Sequence, residues 1–166
     1  KRLSPTPPSK TETAVHYVAD PAKPVPTVGG ANLTFERGPM DQRKIGERAD
    51  YLRFETPPLE RATEIAGPVT AELWVTTDGP DTDFMAKLVD VYPDGYEAVV
   101  LDAPLRARYR NGRRTQDVSF MTPDQPTRIV INLWHTALRF EPGHKIALHI
   151  SSSNSPRFDI NDNAGT

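Results

Sequence analysis

The chain has 166 residues, a formal charge of −2 and no cysteine. That length suits one domain with a real core. The charge gives no drive towards nucleic acid or an anionic membrane, and without thiols there is no disulfide framework, thiolate metal site or thiol nucleophile. The 17 prolines and 10 glycines break the sequence at short intervals, as in all-β domains rich in turns. No apolar run approaches a membrane span, and the compartment stays open.

Residues 1–13, with Pro5, Pro7 and Pro8, read as a linker or an extended segment, and they lack the apolar run of a signal peptide. Ala14–Val18 is a short β-like run. Asp20–Gly30 carries Pro21, Pro24 and Pro26, which remove backbone donors, so it is neither helix nor central strand. A long proline-fixed loop in a one-domain chain is expected to be docked. Tyr51–Glu55 alternates apolar and polar residues as a strand does, and Glu64–Pro68 reads as a short strand and turn. In Val69–Thr76, the residues Val69, Ala71, Leu73 and Val75 point into a core. Trp74 falls on the other face, expected as a partly buried ring under a loop rather than a sugar-stacking platform.

The stretch Asp81–Gly95 organises the chain. It supplies a strand from Phe84 to Tyr92 and breaks at Pro93-Asp94-Gly95, the residues of a tight turn. Ala98–Leu101 returns as the second arm of a hairpin. Apolar residues on both faces, with Phe84, Ala86 and Leu88 against Met85, Val89 and Val91, mark a central strand covered on both sides. Asp90 sits amid that apolar strand and needs a partner if buried. Arg106, Arg108 and Arg110, alternating on one side of the next segment, are its expected source. Ile129, Ile131 and Leu133 form one face of a strand within Gln125–Trp134, and Ile146, Leu148 and Ile150 one face of Lys145–Ser152. Some eight to ten short strands without helices make a sandwich or barrel.

Catalytic signatures are missing from the sequence. No serine lies in Gly-x-Ser-x-Gly, and there is no His-Glu-x-x-His or phosphate-binding glycine loop. His16, His135, His144 and His149 read as structural, with His144 and His149 placed on opposite faces. Asp78, Asp81 and Asp83 are better explained by turn capping than by a calcium site.

Several segments nevertheless resemble a known family. They are Asp20-Pro21 with Pro24-Val25-Pro26-Thr27-Val28-Gly29-Gly30, Gly38-Pro39-Met40-Asp41-Gln42-Arg43, Asp81-Thr82-Asp83-Phe84, Lys87–Gly95, Arg106–Arg110, Pro142–Ile146 and Ser151–Asp159. In order and spacing they resemble the C-terminal domain of the cocaine esterase / Xaa-Pro dipeptidyl-peptidase (CocE/NonD) hydrolases, a group that includes α-amino-acid ester hydrolases and cephalosporin acylases. The resemblance implies a jelly-roll β-sandwich, similar to galactose-binding domains, over residues 14–166. It implies a domain that is itself non-catalytic and needs no cofactor or metal. Its partners would be an α/β-hydrolase domain carrying the Ser-Asp-His triad and a helical cap. The candidate interdomain and acyl-pocket face is the proline-rich loop with Leu33, Thr34 and Phe35, together with Asp81, Asp83 and Phe84, and oligomers are open. Family members continue past Asn161–Gly165 to a final strand, which this sequence does not include, so an open or covered sheet edge is expected. A carbohydrate-binding module using Trp74, Tyr92 or Tyr96 is the alternative.

Overall fold

A computed structural model describes residues 1–3 and 13–165. The proline-rich part of the expected linker therefore lies outside the described residues. Among those described are six strands: β1 (Leu52–Glu55), β2 (Thr63–Val75), β3 (Asp83–Val91), β4 (Glu97–Arg106), β5 (Thr127–Phe140) and β6 (Lys145–Ser151). Helix among the described residues is confined to three short 3-10 turns, of which Gln42–Ile45 matters below. All pairings between these strands are antiparallel, in one sheet of order β1-β6-β3-β4 and a second made of β2 and β5. The pairs β1·β6, β2·β5 and β3·β4 are nested, as when one long hairpin is wrapped around a core. That is the jelly-roll plan, with fewer strands than the roughly eight of the full form.

The core lies between the sheets. Phe84, Ala86 and Leu88 of β3 and Ile150 of β6 meet Ala71 of β2 and Ile129, Ile131, Leu133 and Phe140 of β5. The Leu, Ile and Phe side chains among them stabilise by roughly 1.5–3 kcal/mol each when fully buried. All nine residues of β3 are buried, as its two apolar faces require. The turn after it is as expected: the Gly95 amide donates to the Tyr92 carbonyl at 2.9 Å, Asp94 Oδ1 accepts from the Tyr96 amide, and Gly95 has φ of 85°.

The strands are fewer and longer than eight to ten. Gly67–Pro68 is not a turn: β2 runs straight through it, with Pro68 opposite His135. Proline is tolerated there because β2 pairs on one side only. A bulge lies between Val69 and Thr70, which face Trp134 and Asn132 and leave Leu133 as the extra residue. It inverts the parity of β5. Ile129, Ile131 and Leu133 face inward before it, whereas Leu138 and Phe140 do so after it. Two-residue alternation is lost at that step, which hid the second half of β5. Ala14–Val18 is likewise not a strand; no strand pairs with it among the described residues, and Val15 and Val18 are exposed.

Candidate functional site

The outer face of the four-stranded sheet is covered by the proline-rich loop and by the segment after β6. The loop is docked, as expected. Val25 is fully buried, its amide donates to Ser153 Oγ at 2.8 Å, and the Thr27 amide donates to the Ser155 carbonyl at 2.7 Å. Between Gly30 and Gly38 the chain leaves this layer as a protruding loop. Its neck is closed by the amides of Gly30 and Gly38, each donating to the other's carbonyl at 2.9 and 3.1 Å. Inside the loop, Asn32 accepts from the Phe35 amide at 2.8 Å and donates to the Gly29 and Glu36 carbonyls at 3.0 Å. The fold thus holds an apolar tip in solvent: Leu33 is 90% exposed and Phe35 40%.

Beneath the neck, a polar row crosses the whole sheet. Arg53 of β1 stands opposite His149 of β6, His149 opposite Lys87 of β3, and Lys87 opposite Asp102 of β4. Lys87 is 2% exposed and donates from Nζ to Gln42 Oε1 at 2.8 Å. Gln42, also buried, donates from Nε2 to the Val28 and Met40 carbonyls at 2.8 and 2.9 Å. Tyr51 covers the row, with its hydroxyl 3.0 Å from His149 Nδ1 and the Arg53 guanidinium 4.7 Å from its ring centre. Burial brings the Lys87 ammonium down to about 8; Asp102 opposes that shift, while Arg157 and Arg53 add to it. Burial, with Arg53 and Lys87 on either side, depresses the His149 imidazole to about 3. Asp102 pairs with Arg157 and accepts from Asn154 Nδ2 at 3.3 Å.

Of the expected face, only Leu33, Thr34 and Phe35 are exposed. Asp81, Asp83 and Phe84 are interior groups. Asn161 Nδ2 donates to Asp81 Oδ2 and Asp83 Oδ1 at 3.1 and 2.8 Å, which ties down the segment after β6. Arg106 grips Asp83 with two hydrogen bonds of 2.8 and 3.0 Å, and the Arg108 guanidinium lies 3.5 Å from Asp81. The three arginines do not share a strand face, because β4 ends at Arg106 and Ala107–Tyr109 is a 3-10 turn. Arg110 donates to the Ala107 and Phe120 carbonyls and forms no ion pair among the described residues. Asp90 does have a partner, but it is His144, whose Nδ1 lies 2.8 Å away, and not an arginine. The turn before β6 brings that ring over the end of β3, where residues 90 and 146 are paired.

Trp74 is 68% exposed, so it does not sit partly buried under a loop. Tyr92, 40% exposed, packs between His144 and Tyr96 at centroid distances of 4.5 and 5.5 Å. Lys87 and Gln42 lie in two of the segments that carry the resemblance, but neither is among the expected site residues. The signal for Lys87 was nonetheless present, since a charge within an apolar central strand demands a partner just as Asp90 does.

The model of the X-Pro dipeptidyl-peptidase C-terminal non-catalytic domain matches residues 1–166. Cocaine esterase of Rhodococcus sp. (strain MB1 Bresler) is 41% identical over 159 residues, covering 95% of this chain and 27% of that protein. An α-amino acid ester hydrolase superimposes with a TM-score of 0.85 at 33% identity, over 96% of this chain and 28% of its own. An aminopeptidase from a marine sediment Thaumarchaeota archaeon does so with a TM-score of 0.78 at 32% identity, over 89% and 27%. The chain therefore spans little more than a quarter of these relatives, and none of the three is a carbohydrate-binding module.

Proposed function

This chain belongs to the family of X-Pro dipeptidyl-peptidase C-terminal non-catalytic domains, and from that premise we propose that it packs on an α/β-hydrolase domain and helical cap and helps to shape their acyl pocket. The parent reaction would be ester or amide hydrolysis through an acyl-enzyme, with nucleophile, base and acid on the partner domain. The observation that carries this reading is the braced loop whose apolar tip, Leu33, has 90% of its surface in water. Leu33 and Phe35 stand together at the tip of a loop held by its own hydrogen bonds, and a hydrophobic wall supplied to a neighbouring pocket accounts for that pairing.

Two outcomes test it. The purified 166-residue chain is expected to hydrolyse neither p-nitrophenyl esters nor Xaa-Pro amides. Turnover that survives a serine-directed inhibitor, a metal chelator and a thiol-directed reagent, and so does not come from a contaminating hydrolase, would place chemistry in this domain. In the full-length hydrolase, Leu33→Ala and Phe35→Ala are expected to shift the kcat/KM ratio between benzoyl and acetyl esters by about 10-fold, the scale of losing a few methylenes from a pocket wall. An unchanged ratio in both would remove the loop from the pocket.

A further inference from the structure

We infer that Gln42 is the positioning residue for the Leu33–Phe35 tip, and through it a determinant of acyl selectivity; this rests on the role proposed for that loop. Val28 and Met40 lie on the two arms that lead into the neck. One carboxamide nitrogen takes both their carbonyls, at 2.8 and 2.9 Å, and so sets how far apart the arms stand. The oxygen of the same group is held at 2.8 Å by Lys87, from the central strand β3. Gln42 thus refers the position of a protruding loop to the most buried strand of the sheet.

The neck is also confined sterically. A Cβ on Gly29 would lie 2.6 Å from the Gly38 carbonyl and from Met40 Cβ. One on Gly30 would lie 2.9 Å from Asp102 and 3.0 Å from Arg157. Both glycines have positive φ, 64° and 85°, so the backbone enters the neck in a form that side chains resist. Beyond it, Asn32 makes the loop internally rigid. A rigid tip on a fixed neck moves as a unit when the neck moves, and small displacements of a pocket wall cost selectivity.

The test uses Gln42→Glu and Gln42→Met in the full-length hydrolase. The glutamate keeps the Lys87 contact while losing both donors; the methionine keeps volume and loses every hydrogen bond of the amide, the 3.5 Å one accepted from the Tyr51 hydroxyl included, so a misfolded glutamate variant would not end the experiment. Both are expected to exchange the Gly30 and Gly38 amides at least about 10-fold faster, because those amides close the neck. KM for a benzoyl ester is expected to rise several-fold more than KM for an acetyl ester. Combined with Leu33→Ala, neither should change selectivity further, since the two would act through one contact. Selectivity changes in Leu33→Ala but not in the Gln42 variants would overturn the inference and leave the loop's role standing. No change in Leu33→Ala or Phe35→Ala would remove both. Faster exchange without altered selectivity would make Gln42 a structural brace only, and the inference would fall.

Discussion

Asp102→Ala is expected to lower the stability of the chain by about 3–5 kcal/mol, the scale for leaving a buried charge without its partner. The Asp102 carboxylate is 3% exposed and paired with Arg157, which is itself largely covered. Lys87 stands directly across the sheet, and Asp102 is the neighbour that favours its charged form. Removal would leave two buried cations near each other, and the Asn154 amide would lose its acceptor. Asp102→Asn should do much of the same damage, because an amide cannot neutralise either cation. By contrast, the Arg128–Glu72 pair lies half-exposed on the outside of the two-stranded sheet, where ion pairs contribute little. Urea denaturation decides the matter: the midpoint should fall with the slope unchanged. Coupling in a cycle with Arg157→Ala would locate the loss in this pair. A loss below about 1 kcal/mol would mean that Lys87 sheds its proton and the loop layer relaxes around the gap.

How much of this was legible in the sequence depends on the range of each signal. Val69–Val75 and Ile129–Leu133 alternate with period two and lie where that alternation puts them, and Pro93-Asp94-Gly95 forms its turn from its own residues. These are local signals. The bulge at Leu133 is not local, since it exists only in the pairing of β2 with β5, and a run-through proline in β2 looks identical to a turn until the pairing is known. Asp90 illustrates the limit. Its need for a partner followed from the strand alone, but the choice between Arg106 and His144 depended on which loop closes over the end of β3. The family resemblance drew attention to the Leu33–Phe35 loop. It did not reveal that Gln42 holds the loop's arms, because that role is visible only once Val28, Met40 and Lys87 are brought to one side chain.

The same buried row makes the domain sensitive to acid. The folded-state pKa of His149 is depressed to about 3, against an ordinary 6.5. Between those values the unfolded chain binds a proton that the folded chain refuses, so stability is complete above pH 6.5 and falls as pH is lowered towards 3. At pH 5 the loss should be about 2 kcal/mol, from one and a half pH units at about 1.4 kcal/mol each. The groups around the ring fix the sign: Tyr51 shields it from water, and Arg53 and Lys87, on the two neighbouring strands, repel a third positive charge. Lys87 follows the same rule in a separate window. Its ammonium is depressed from 10.5 to about 8, so its contribution rises with pH only across that alkaline range and leaves the acid limb to His149 and the carboxylates. His149→Gln keeps a polar partner for Tyr51 without a titrating ring. Subtracting its stability profile from that of the native chain should therefore leave a slope below pH 6.5 that persists well above the carboxylate range. If the difference is instead flat from pH 7 to 4.5, water reaches the imidazole and the loop layer does not seal the sheet.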